Sequence, residues 1–132
     1  MIGIDTNIIL RFMTRDDDRQ FDLARKLVSA ASAASPLCVN IVTLTEVVWV
    51  LEKRLSLPVE RARGVARRFA DAPEVYFSGD NPIHGWAEAL ASKHKGWTDV
   101  VVARINSELG CSHTYTFDKK AAKSVPGMEL LA

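Results

Sequence analysis

Met1-Ile2-Gly3-Ile4-Asp5-Thr6-Asn7 opens the chain, and its reading decides the fold. Met1, Ile2 and Ile4 form a short apolar run of the kind that makes a buried strand, while Ile8, Ile9, Leu10 and Phe12 follow at helical spacing. A carboxylate, Asp5, therefore stands where a strand turns into a helix. In open α/β sheets that edge, outside the carboxyl ends of the strands, is where ligands bind. An isolated Asp at such a junction also serves as a plain helix cap. The meaning of Asp5 depends on what accompanies it elsewhere.

Outward from this stretch, the pattern repeats. Asp16, Asp17 and Asp18 mass acids at the start of a second helix, where they suit the helix dipole, and Phe21, Ala24, Leu27, Val28 and Ala31 give that helix its apolar face. Ser35-Pro36 ends it, and Leu37 to Asn40 reads as the second strand. Thr43 and Glu46 fit a capping box at the head of a third helix, whose core stripe is Leu44, Val47, Val48, Leu51 and Leu55. Trp49 and Val50 widen its apolar surface, toward deep burial or a partner. A fourth helix starts near Ser56 and Pro58, with Val59, Ala62, Ala66 and Phe69 inward. Its Arg61, Arg63, Arg67 and Arg68 face outward, as a solvated or phosphate-binding face.

Glu74 to Phe77 is the third expected strand, followed by a helix with Ile83, Trp86, Ala87, Leu90, Ala91 and His94 on one side. Thr98 is the expected cap of a buried helix running through Val100 to Leu109 and stopped by Gly110. His113 to Phe117 reads as a strand, Asp118 to Lys123 as a short helix, and Met128 to Leu131 as an edge strand. Strands alternating with helices predict an α/β fold, a three-layer α/β/α arrangement with a central parallel sheet.

Composition narrows the function classes. The chain has 132 residues, 48% of them hydrophobic, which suits one domain over residues 1–132 with a real core. Lys and Arg number 17 against 16 Asp and Glu, so a net charge of +1 marks neither a nucleic-acid binder nor an acidic-ligand binder by bulk charge. Any electrostatic function must come from local patches. Cys38 and Cys111 lie in apolar contexts far apart in sequence, and the short N-terminal apolar run reads as part of the fold, so neither a signal peptide nor a membrane-spanning segment is expected. Core thiols, a cytoplasmic location and no membrane partner are expected. His84, His94 and His113 lack the spacing of a zinc site.

Asp5, Glu46, Asp99 and Asp118 are each predicted at or within a turn of a helix N-terminus. Capping alone would account for them, since each acid there gains about 0.3 to 1 kcal/mol. Yet Asp5 and Asp118 both follow strands of a parallel sheet, which brings their carboxylates to one edge. Were they to converge, two carboxylates about 4 Å apart would repel by roughly 4 kcal/mol at an effective dielectric of about 20, and such a cluster calls for cations. With oxygen ligands only, the cation should be hard, Mg²⁺ or Mn²⁺, suited to hydrolysing a phosphodiester.

Taken in order, Ile4-Asp5-Thr6-Asn7, Thr45-Glu46, Thr98-Asp99 before Val100-Val101-Val102-Ala103, and Thr116-Phe117-Asp118-Lys119-Lys120 resemble the PIN-domain ribonucleases. The likeness is greatest to the VapC-type toxins of bacterial toxin–antitoxin pairs, and it covers essentially the whole chain. It implies a PIN-like domain and a Mg²⁺- or Mn²⁺-dependent endoribonuclease acting on structured RNA such as tRNA. It implies, too, a cognate antitoxin that holds the enzyme inactive and a homodimer. In this resemblance Asp5, Glu46, Asp99 and Asp118 are the metal cluster, and Asn7 and Thr116 orient a carboxylate or a bound water. Gly96 stands three residues before Asp99, where many relatives carry a further Asp, so a second metal should bind weakly or only with substrate. Arg11, Arg15, Lys119 and Lys120 lie near the acids in sequence and are candidate contacts to RNA phosphates.

Two rivals remain open. A phosphatase with an Asp nucleophile after its first strand would need a second Asp two residues on, where this chain has Asn7. A non-catalytic RNA- or protein-binding module would use its acids only as caps.

Overall fold

The structure, a computed structural model, describes residues 1–78 and 96–132. Its elements in chain order are β1 (Ile2–Ile4), α1 (Thr6–Thr14), α2 (Asp18–Ala30), β2 (Leu37–Asn40), α3 (Ile41–Lys53), α4 (Val59–Ala70), β3 (Val75–Ser78), α5 (Trp97–Glu108), β4 (Thr114–Thr116), α6 (Lys119–Ser124) and β5 (Met128–Leu130). The expected helix carrying Ile83 to His94, with His84, lies outside the described residues.

Five strands form one sheet in the order β3-β2-β1-β4-β5, and every pairing is parallel. Gly3 of β1 sits opposite Cys38 of β2 on one side and Thr114 of β4 on the other. The chain first winds outward from β1 to β3 and then returns to start again at β4. The strand order therefore reverses between β1 and β4, and the crevice beyond their carboxyl ends is the topological switch point of the sheet.

Alternation along the strands assigns the two faces. Ile4, Leu37, Val39 and Val75 pack into a core with Ile8 and Ile9 of α1, Ala24 of α2, Val47 and Leu51 of α3 and Ala62 and Phe69 of α4. Each fully buried Ile there stabilises the fold by about 1.5 to 3 kcal/mol. The opposite face is covered by α5 and α6, where Val102, Ala103, Ala121, Val125 and Met128 form a second core. The α/β/α layering read from the sequence is the one observed. Cys38 and Cys111 are both buried, and the Cys38 thiol donates to Asn106 Oδ1 at 3.9 Å.

Local capping departs from the sequence reading in two places. Asn40 is the cap of α3, accepting from the Thr43 backbone N–H at 3.1 Å, so the helix starts before the Thr43–Glu46 pair. Glu46 then lies in the second turn and caps nothing. Likewise Gly96 rather than Thr98 precedes α5. The acidic run is accounted for as expected at Asp17, which caps α2 by accepting from the Gln20 N–H, while Asp16 pairs with Arg11 at 2.8 Å. Among the described residues no helix is long and apolar enough to cross a membrane.

A candidate active site at the carboxyl edge of the sheet

β1 ends at Ile4, and the backbone N–H of Asp5 donates to the Tyr115 carbonyl at 3.2 Å, extending the ladder to the switch point. The Asp5 side chain caps α1, accepting from the Ile8 N–H at 3.1 Å. Because Ile4 faces the larger core, Asp5 faces the α5 side of the sheet, and it is only 4% exposed. Burial pushes its carboxyl up to about 6, and the nearby charge of Asp99 pushes the same way. The Thr116 hydroxyl and the N–H groups of Ile8 and Asn7 oppose that shift. Thr116, itself fully buried, also accepts from the Asp118 N–H at 3.0 Å, so one hydroxyl links the Asp5 carboxylate to the start of α6.

Glu46 reaches the same place from α3. Its Oε1 accepts from the Thr6 hydroxyl at 2.9 Å. Asp99 arrives from the first turn of α5. Asp5, Glu46 and Asp99, with Thr6, Asn7 and Arg54, line a concavity of about 150 Å³ whose apolar wall includes Leu10, Trp49 and Val102. Three of the four expected acids thus meet although they lie on separate elements. Asp118 stands outside this lining, exposed, with its Oδ1 accepting from the Lys120 N–H at 2.8 Å and the Ala121 N–H at 3.1 Å as the cap of α6.

Among the described residues no three acidic, histidine or cysteine side chains are drawn together tightly enough to hold a metal ion as they stand. The chemistry of the pocket nevertheless fits a hard divalent cation. Its charged donors other than Arg54 are carboxylates, and Asp5 is a buried acid with no cationic group among the influences on its ionisation.

The four expected basic residues fall elsewhere. Arg11 donates to Gln20 at 2.6 Å and is paired with Asp16, and the Arg15 guanidinium lies 4.7 Å from the centroid of the Phe21 ring, so both close the α1–α2 junction. Lys119 and Lys120 are exposed at the start of α6, beside a separate hollow with Met128 and Glu129. The basic side chain that lines the acidic pocket is Arg54, at the end of α3, with its guanidinium 5.7 Å from the centroid of the Trp49 ring. No motif marks Arg54 in the sequence, and only the length of α3 brings it there.

A parallel sheet with a cluster of acids at its switch point defines the class: an α/β protein with an acidic crevice at the carboxyl edge. The family model for the PIN domain matches residues 2–126, and the chain belongs to that family. Among solved structures it is similar to VapBC2 from Rickettsia felis bound to a promoter DNA fragment, at 17% identity and a TM-score of 0.67 over 98% of this chain and 97% of that one. The sarcin–ricin-loop-cleaving toxin VapC20 of Mycobacterium tuberculosis gives 17% identity and a TM-score of 0.71, covering 94% of this chain and 95% of the other. VapBC-1 from nontypeable Haemophilus influenzae gives 18% and 0.69, covering 98% and 96%. At these identities the likeness is one of fold. No curated protein matches the sequence significantly.

Proposed function

We propose that this chain is a Mg²⁺- or Mn²⁺-dependent endoribonuclease toxin of the VapC type, cleaving phosphodiester bonds in structured RNA such as tRNA. The observation that carries the reading is the meeting of Asp5, Glu46 and Asp99, from three separate elements, around one pocket at the switch point. Membership of the PIN domain family supports it, since these proteins are generally nucleases. The capping alternative explains Asp118 and one bond of Asp5, but not Glu46, which lies in the second turn of α3 and caps nothing.

Asp5, Asp99 and Glu46 would hold the cation, with Asp118 and a water-mediated Asn7 contact at the rim. When bound, a divalent ion supplies Lewis acidity at the scissile phosphate and a water acidic enough to deprotonate near neutral pH. The chain contributes the rest. Thr116 and the Ile8 N–H hold the Asp5 carboxylate in one orientation, and Thr6 does the same for Glu46. Leu10, Trp49 and Val102 limit water around the carboxylates. Arg54 offers a guanidinium to a phosphate approaching a pocket that would otherwise repel a polyanion.

A cognate antitoxin and a homodimer are the proposed partners, in the cytoplasm. Structures similar in fold include VapBC pairs. A hollow of about 530 Å³ between α3 and α5, lined by Ile41, Val42, Val101 and the exposed Trp49 and Trp97, supports an apolar partner face. The deciding experiment is incubation of total RNA with Mg²⁺, Mn²⁺ or EDTA, comparing the parent with Asp5→Asn and Glu46→Gln. Metal-dependent cleavage lost in both variants is expected. Equal cleavage by all three proteins would end the assignment to this site.

A further inference from the structure

Beneath the acidic pocket lies a chain of buried amides that the proposed chemistry does not use. Asn40 and Asn106 are both fully buried. The Asn40 Oδ1 accepts from the Thr43 N–H at the head of α3, and its Nδ2 donates to Asn106 Oδ1 at 2.8 Å and to the Val102 carbonyl at 3.4 Å. Asn106 Nδ2 in turn donates to the Thr114 hydroxyl of β4 at 3.0 Å. One connected path therefore runs from α3, which carries Glu46, through α5, which carries Asp99, to β4, whose Thr116 holds Asp5.

Gly3 shows that the path is sterically enforced. A methyl group on Gly3 would stand 2.5 Å from Asn106 Nδ2 and 2.7 Å from Thr114 Oγ1, so the central strand has no side chain where the amide sits. An apolar residue at position 106 would fill that space more simply. A buried amide instead makes the elements it joins interdependent, because a polar atom that loses its partner in the interior has no water to replace it.

We infer that Asn40 and Asn106 are positioning residues for the acidic site: they fix the distance of Glu46 and Asp99 from Asp5, and so the affinity of the site for a divalent cation. The inference rests on the metal reading of that site. Neither amide touches a carboxylate, and each acts through the helix it anchors. Asn106 lies two turns along α5 from Asp99, and Asn40 caps the helix whose second turn bears Glu46.

The test is Mn²⁺ titration by calorimetry of the full chain, paired with thermal unfolding in EDTA. Asn106→Leu removes the hub, and the milder Thr114→Val removes one acceptor while leaving the Asn40 cap of α3 and the Asn40–Asn106 bond intact, which keeps the test informative if the first variant fails to fold. Phe69→Leu in α4, remote from the site, serves as a control of reduced stability. Mn²⁺ affinity should fall about tenfold in the Asn106 and Thr114 variants, the low end of the loss on removing a group bonded directly to a metal ligand, and stay at the parent value in the control. Parent-like affinity in a folded Thr114→Val protein would overturn the inference and leave the metal reading standing. If the parent binds Mn²⁺ no better than Asp5→Asn, both fall.

Discussion

The hydroxyl of Thr6 donates to Glu46 Oε1 at 2.9 Å, joining the first turn of α1 to the second turn of α3 across 40 residues of chain. Thr6 follows Asp5 directly, so two neighbouring residues serve two acids: one supplies a carboxylate and the other orients a second. Replacing Thr6 by Val removes the donor while keeping a branched side chain of similar size. Metal-dependent cleavage should fall roughly tenfold, while Glu46→Gln should fall by about a hundredfold or more, losing a charged ligand rather than its orientation. Cleavage rates and unfolding midpoints in EDTA, measured together, check this. A Thr6→Val protein as active as the parent would show that the bond has no part in the reaction.

Asp5 makes a prediction about stability of the metal-free protein. Its carboxyl is raised from 3.8 to about 6, chiefly by burial. For an acid raised in this way the folded state binds the proton more tightly than the unfolded chain, so stability is lost as pH rises from about 4 to about 6 and stays low above that. The contribution is at most about 3 kcal/mol, at roughly 1.4 kcal/mol for each tenfold difference in proton affinity between the folded and unfolded chain. Asp5→Asn retains a capping oxygen for the Ile8 N–H and cannot ionise. Denaturation in EDTA should find the variant more stable than the parent at pH 7 and the gap closing near pH 4. Added Mg²⁺ should reverse the order by stabilising only the parent. A variant less stable than the parent in EDTA at pH 7 would contradict the account.

The layering and the site differed in how far they could be read from the sequence, for physical reasons. Strand-to-helix junctions such as Ile4-Asp5-Thr6 are local, and burial repeats every two or every three to four residues, so the parallel sheet and the carboxyl-edge acids were legible. The Thr43–Glu46 pair looked like a capping box because the motif is a spacing, and a spacing does not say where the helix begins. Asn40 begins it earlier, which freed Glu46 for the pocket. Arg11 and Arg15 are near Asp5 in sequence, but α1 turns them toward α2. Arg54 lies far from Asp5 in the chain and lines the same pocket. Asn40 and Asn106 carry no periodic signal at all, since a buried amide is defined by partners that only the tertiary fold supplies.

Gly3→Ala tests the packing beneath the site. The added methyl would meet both Asn106 and Thr114, neither of which can withdraw without breaking their mutual hydrogen bond. Over-packing of this kind costs about 1 to 3 kcal/mol. Chemical denaturation of the variant should show a loss in that range or above. Gly127→Ala makes a useful contrast: its φ of +87° strains an added side chain, but nothing lies within 4 Å, so its cost is conformational and leaves the amide path intact. Equal stability of Gly3→Ala and the parent would mean that the strand shifts freely, against the close approach of α5.

Arg54 and Arg11 offer opposite outcomes for one kind of substitution. Arg54 lines the acidic pocket over Trp49, and no salt bridge among the described residues ties it to Asp5, Glu46 or Asp99. It is therefore available to a phosphate. Arg11 is committed to Asp16 and Gln20. Binding of RNA to the Asp5→Asn background, which removes turnover, should weaken on Arg54→Gln. The slope of log affinity against log salt should decrease by about 0.7 to 0.9, the value of one phosphate contact. Arg11→Gln should leave that slope unchanged and lower the free energy of unfolding by less than about 1 kcal/mol, because the pair is exposed. If Arg11→Gln changed the salt slope and Arg54→Gln did not, the RNA path would run over the α1–α2 junction rather than past the end of α3.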